Sequence, residues 1–217
     1  MKKSGIVSAN NKARIPKQTR GIETKEKIVK AATKLFTERG YHRTNALQIA
    51  AAADVATGTF YSYFNNKREV FAEIIEHIFR NVSDKVLLNF NLDIYQTIAD
   101  DYKEARNIAH HLLNQILSEY KVHHKLLKQI LAMALLDKEI EKIRIKEEKK
   151  IIDLLVVHMQ TYKDYIRISD FEAAAVILLK CAEEMMHQIK WNSTGVEKER
   201  LIREMEDIVL RYLLTEN

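Results

Sequence analysis

Cysteine, proline and glycine are scarce in this chain. Its 217 residues include one cysteine (Cys181), one proline (Pro16) and five glycines. A single cysteine excludes an internal disulfide and suits a reducing compartment. So few turn formers exclude a many-stranded β protein, and helix-forming residues dominate, so an all-α fold is expected. No apolar run reaches the roughly 18 residues that a membrane-spanning helix needs. The opening MKKSGIVSANNKAR has lysines but no apolar stretch behind them, which is not the pattern of a signal peptide. No membrane partner is expected, and the location expected is the cytoplasm.

Signatures of catalysis are missing as well. There is no Gly-x-Ser-x-Gly, no phosphate-cradling glycine loop and no dinucleotide fingerprint. Cys181 falls mid-helix between Lys180 and Ala182 and reads as buried, not nucleophilic. Eight histidines, among them His110-His111, His123-His124, His158 and His187, raise a metal hypothesis. A di-iron bundle needs two Glu-x-x-His motifs, and only Glu184-Met185-Met186-His187 is present. No catalytic residue, metal site or cofactor is expected.

The charge that is present is unevenly placed. The net charge is +5, yet residues 1–67 hold thirteen cations against four acids, a net +9, which leaves −4 for the remainder. A basic module joined to a mildly acidic body points to nucleic acid at one end only. Residues 1–21 carry six cations and no acid and read as a flexible basic arm. Such an arm either follows the phosphate backbone or a minor groove, or serves as a solubilising tail.

The most informative stretch is TNALQIAAAADVATGTFYSYFNNK, residues 44–67. Asn45 and Gln48 have the spacing of a capping box, with Leu47, Ile49, Ala50 and Ala53 as the inward side of a first short helix. Asp54 stands at the turn, since Asp visits the left-handed region more cheaply than most residues. A second helix, 56–64, turns Val55, Phe60 and Phe64 inward and Thr57, Gly58, Thr59, Tyr61 and Tyr63 outward. Small hydroxyls, a glycine and two phenols suit close approach to a polyanion. The pattern is a helix-turn-helix whose second helix enters a major groove of double-stranded DNA.

Gly40-Tyr41, Thr44, Ile49-Ala50, Val55, Gly58-Thr59, Tyr61, Phe64 and Lys67 resemble the DNA-binding signature of the Tet-repressor (TetR) family over roughly residues 22 to 82. Two positions depart from it: Asp54 stands where the family usually has glycine, and Ala56 where it usually has a Ser or Thr cap. The resemblance implies a helix-turn-helix domain at 22–66 and a helical ligand-binding and dimerisation domain at 67–217, about nine helices in all. It also implies a phosphate contact at Thr44. Lys67, in the first turn of the helix that Asn66 opens, places an ammonium and free backbone N–H groups toward the same phosphate region. The function implied is sequence-specific regulation of transcription, most simply repression relieved by a small apolar effector. A ligand-independent architectural regulator and a metal- or cofactor-binding helical enzyme are the alternatives.

Outside that stretch the chain reads as helix. A first helix, 23–39, buries Ile28, Ala31, Ala32, Leu35 and Phe36 and is closed by Gly40. Asn66 and Glu69 open another, with a stripe from Val70 to Val86. Further helices are expected near 94–119, 122–136, 138–163, 170–190 and 197–214, jointed at Asp137, 167–169 and 192–195. Glu139–Lys142, Glu141–Arg144 and Glu147–Lys150 are spaced to pair on a solvated face. Phe90, Tyr95, Tyr102, Tyr120, Met133, Met159, Tyr162 and Tyr165 suit an effector pocket but are equally what any helical core contains. The last two helices offer Phe171, Ala175, Leu178, Ala182, Met185, Ile189, Met205, Ile208 and Tyr212. These form a homodimer seam, as the resemblance implies, or ordinary monomer core.

Overall fold

The computed structural model describes residues 19–84, 102–161, 163–191 and 194–213. Eight α-helices and one short 3-10 turn, Lys163–Tyr165, occupy these residues, with no β-strand among them. The chain divides into two compact units, residues 1–74 and 75–217, so the division falls inside a helix and later than the expected boundary at 66. Residues 1–18 of the expected arm lie outside the described residues.

The first unit holds α1 (Thr19–Arg39), α2 (Ala46–Ala52), α3 (Thr57–Tyr63) and the first half of α4 (Lys67–Val82). The first helix starts at Thr19, so Arg20 and Gly21 are helical and not part of an arm. A glycine there costs about 1 kcal/mol relative to alanine, which the apolar face behind it offsets. Ile28, Ala32, Leu35 and Phe36 are buried, and Phe36 meets the rings of Tyr41 and Phe71 at 5.4 Å each. Gly40 closes α1 at φ 88°, its N–H donating to Phe36 O at 2.9 Å.

Both halves of the capping box on α2 form: Gln48 N–H donates to Asn45 Oδ1 (2.9 Å) and Asn45 N–H to Gln48 Oε1 (3.0 Å). Ile49, Ala50 and Ala53 are buried, but Leu47 is 60% exposed, against expectation. It lies two residues from Ile49, about 200° round the helix, so it cannot share that buried side. Asp54 turns the chain at φ 55°. Ala56 then opens α3 with no side-chain cap.

At the start of α4 the Asn66 side chain accepts the Glu69 N–H (3.1 Å), as the spacing predicts. Glu69 reaches back one residue further than expected, to the Asn65 backbone N–H and side-chain amide, both at 2.8 Å. Lys67 turns toward the α1–α2 connection. Its ammonium donates to Tyr41 O and Thr44 O, each at 2.8 Å, and stands 4.3 Å from the centre of the Tyr41 ring. Burial lowers the Lys67 pKa from its ordinary value, the cost of using a charge as an internal tie.

The second unit contains the rest of α4 with α5 (Tyr102–Ala134), α6 (Lys138–Thr161), α7 (Phe171–Trp191) and α8 (Lys198–Leu213). The break expected near residue 121 is absent: α5 runs through it for 33 residues, because Tyr120-Lys121-Val122 holds nothing that stops a helix. Asp137 caps α6 through Glu139 N–H (3.0 Å), and Asp170 caps α7 through Ala173 N–H (3.0 Å). Helix α5 packs on α6, α7 and α8, while α7 lies between α6 and α8. Glu139–Lys142 and Glu147–Lys150 pair as expected, at 2.8 and 2.6 Å. Arg144, however, pairs with Glu148, not Glu141, and Lys180 of α7 joins the same carboxylate. Glu147 and Glu148 are buried, so this charged run is not a solvated face throughout.

The residues expected at a dimer seam are mostly core. Ala175, Leu178, Met185 and Met205 are buried within the chain's own clusters, and Phe171, Ala182, Ile189 and Tyr212 pack against them. Among the nine, Ile208 alone is exposed. The 3.6-residue stripe that looked like a seam is what seats α7 on α5, α6 and α8.

Two stability effects are expected in the first unit. Ala56→Ser supplies the missing cap of α3 and should raise stability by about 1 kcal/mol in urea denaturation. Lys67→Met strands two carbonyls and should cost about 1–3 kcal/mol by the same measurement. An unchanged midpoint would mean that Lys67 is not an internal tie.

Candidate nucleic-acid interface and effector cavity

Helix α3 is two turns long and is held by its inner side. Phe60 is fully buried and Phe64 nearly so, their rings 6.0 Å apart, and Val55 is half-buried. On the outer side Thr57, Gly58 and Tyr61 face solvent, and Thr59 and Tyr63 are half-buried. A methyl group added at Gly58 would meet nothing within 4 Å, so this side is flat and open. Hydroxyls, a bare backbone position and a phenol then stand on one face, able to reach phosphates and base edges.

The expected phosphate pair behaves differently. Thr44 is only 1% exposed, and its hydroxyl donates to Gly40 O (2.9 Å) while its backbone N–H donates to Tyr41 O (3.3 Å). It organises the connection before α2 and presents no group to a ligand. Lys67 is half-buried on the carbonyls of Tyr41 and Thr44, so it positions the motif from within. Tyr41 packs inward on Phe71 with ring centres 4.9 Å apart.

The second unit contains a cavity of about 340 Å³ bounded by α4, α5, α6, α7 and α8. That lies within the roughly 300–1,000 Å³ of small-molecule sites. Tyr120 and Met159 line it, as expected. Met133 is buried but does not line it. Phe90, Tyr95, Tyr162 and the side chains of Tyr102 and Tyr165 lie outside the described residues. Leu178, Ala182 and Met205, expected at a dimer seam, are part of the cavity wall.

The wall also carries polar residues that the aromatic pattern does not indicate: Glu119, His123, Arg144, His158, Glu183 and His187. A signal for them existed. Glu119–His123 and Glu183–His187 each sit four apart on helices whose neighbouring turns are apolar, so their polar side chains share a side with core residues. The Tyr120 hydroxyl is buried with no hydrogen-bond partner among the described residues. Burial raises its pKa to about 12, with the carboxylates of Glu183 and Glu184 adding to the rise.

Among the described residues no group of three or more His, Cys, Asp or Glu is arranged to hold a metal ion. His110 instead meets the buried Glu206 at 2.6 Å, tying α5 to α8. Cys181 is exposed, contrary to expectation, at the edge of the core stripe of α7. No helix among the described residues is long and apolar enough to cross a membrane.

Comparison with known proteins matches the first unit most closely. Residues 28–74 fit the profile of bacterial regulatory proteins, tetR family. The chain is 43% identical over 56 residues to the HTH-type transcriptional regulator HbdR of Aromatoleum sp. (strain CIB), covering 26% of this chain and 24% of HbdR. It is 41% identical over 64 residues to the HTH-type transcriptional regulator YhgD of Bacillus subtilis, covering 30% of this chain and 34% of YhgD. The matches thus span about a quarter to a third of those relatives. In fold the likeness extends further: SmeT, a repressor from Stenotrophomonas maltophilia solved in complex with triclosan, superposes with a TM-score of 0.70 over 90% of this chain and 93% of its own, at 20% identity. Residues 28–74 thus match the DNA-binding domain profile of the tetR family of bacterial regulatory proteins, and the described helices share the fold of SmeT.

Proposed function

We propose that this protein is a sequence-specific DNA-binding transcriptional regulator, a cytoplasmic homodimer released from its operator by a small, largely apolar effector. The observation that carries the DNA reading is the outer side of α3, where Thr57, Gly58 and Tyr61 stand open over the buried Phe60. Thr57 can touch a thymine methyl but cannot make the bidentate guanine contact of an arginine. Direct readout is therefore modest, and DNA shape supplies part of the specificity. Residues 1–67, at net +9, add salt-sensitive attraction to the phosphates.

The cavity supports effector control, and the fold relative SmeT is known in complex with triclosan. Helix α4 carries Lys67 in its first turn and Ile78, Phe79 and Val82 on the cavity wall in its last turns. An effector that prefers one setting of α4 lowers DNA affinity by linkage. We assign dimerisation to the outer sides of the last two helices, which keeps Ile208 of the expected seam and replaces its other residues. Val176, Ile177 and Cys181 on α7 and Ile208 on α8 are exposed, with Ile177 and Ile208 half uncovered at 51% and 50%. One helix-turn-helix reads too little DNA for useful specificity, which favours a pair.

Two outcomes are expected. In anisotropy titrations against a selected operator, Tyr61→Phe weakens binding to all sequences alike, while Thr57→Ala changes the preferred bases; an unchanged preference would move Thr57 to the phosphate-contact class. In sedimentation, Ile177→Glu gives a folded monomer with weakened operator binding. A dimer of unchanged strength would exclude this face as the seam.

A further inference from the structure

Most polar side chains of the cavity wall gather on one stretch, with apolar lining on α5 both toward Ala105 and beyond it at Leu127, Ile130 and Leu131. Helix α5 lines it from Ala105 to Leu131, and its polar contributions, Glu119, Tyr120 and His123, fall within little more than one turn. The contributions of α7, Glu183 and His187, meet them there: the Tyr120 and His187 rings are 5.5 Å apart. Arg144 comes from the start of α6, joined through Asp137 to the end of α5, and Lys128 over the Trp191 ring (5.6 Å) brings the end of α7 to the same region. Toward Ala105 the lining of α5 and α8 is aliphatic, and His158 of α6 is the polar exception.

The charges on this polar stretch do not cancel evenly. Arg144 and Lys180 both pair with Glu148, and Lys180 also pairs with Glu183 Oε2 at 2.9 Å. Both cations are thus engaged by protein carboxylates. Glu183 Oε1 accepts no hydrogen bond among the described residues, and Tyr120 Oη, fully shielded from solvent, also lacks a partner. A buried hydroxyl left unpaired costs stability, so this oxygen marks a place for a missing donor or acceptor. The Glu183 and Glu184 carboxylates make the surroundings of that oxygen negative. A carboxylate ligand would add like charge beside them, whereas an ammonium brings several donors and the opposite charge. The Tyr120 and His187 rings, 5.5 Å apart on this part of the wall, also favour a cation, while the Trp191 ring meets His187 edge-on outside the lining and has Lys128 over it.

We propose that the cavity takes a lipophilic amine, its ammonium held between Tyr120 Oη and Glu183 and its apolar body lying along α5 toward Ala105. This rests on the reading of the cavity as the effector site and adds the class of molecule that fills it. An alcohol of the same shape satisfies the phenol but gives Glu183 no countercharge.

The test uses the full chain and three probes of one length below their micellar concentrations: decylamine, decanol and decanoate. Binding is read from the emission of Trp191, the single tryptophan of the chain, which touches the cavity-lining His187. DNA release is read from operator anisotropy. Decylamine is expected to bind at least about tenfold more tightly than decanoate. Glu183→Gln should remove its advantage over decanol. Tyr120→Phe should weaken the amine without lowering the melting temperature of the unliganded protein, a result a purely structural phenol would not give. Equal or tighter binding of decanoate overturns the proposal. If decanol or decanoate releases DNA and the amine does not, the cationic head is wrong and the effector cavity stands. If the amine binds without releasing DNA, the site stands and effector control fails. If no probe binds while the operator is still held, both fail.

Discussion

A helix of seven residues does not persist in water by itself, because nucleation costs more than two turns of hydrogen bonds return. The outer face of α3 therefore exists only because Phe60 and Phe64 are buried beneath it. A second buried aromatic group, Phe36, Tyr41 and Phe71, stands in the same unit. The Lys67 ammonium then ties the residues before α2 to the first turn of α4. Each open hydroxyl on the outside thus depends on an apolar contact on the inside.

The second unit meets a different demand. Close packing of four helices would be the stable solution, yet a cavity remains and a phenol within its wall is left without a partner. Voids and unpaired buried hydroxyls each weaken a fold. Their cost is offset here by the two flanking clusters, Leu113 with Met185, Met186 and Ile202, and Met159 with Ala174 and Ala175. Ion pairs reinforce the same contacts between helices: Glu148 joins α6 to α7, and Glu206 joins α5 to α8. A unit built this way keeps a defined cavity while its clusters and ion pairs hold the helices together.

The first unit was legible because its signals are local. The Asn45–Gln48 box, the left-handed Asp54 and Gly40, and the buried Phe60 and Phe64 depend on residues a few positions apart, and all form as read. Thr44 and Leu47 were misread for a tertiary reason. A threonine beside a DNA-binding motif is equally suited to a phosphate or to a carbonyl four residues back, and Gly40 O is already in place. In the second unit, breaks that rest on a capping residue were found at Asp137 and Asp170, whereas none exists near Tyr120.

What the sequence by itself determined is the helical class, the helix-turn-helix and the uneven charge, since each follows from composition or from spacing along one element. What only the tertiary structure decided is which side of an apolar helix meets which neighbour. Helix α7 offers two candidate faces, and contacts with α5, α6 and α8 bury Ala175, Leu178 and Met185 while leaving Ile177 and Cys181 outside. Those same contacts bring Tyr120 of α5 within ring distance of His187 of α7, 67 positions later in the chain. Periodicity reports that a face is apolar; it carries no information about its partner, because hydrophobic burial is non-directional.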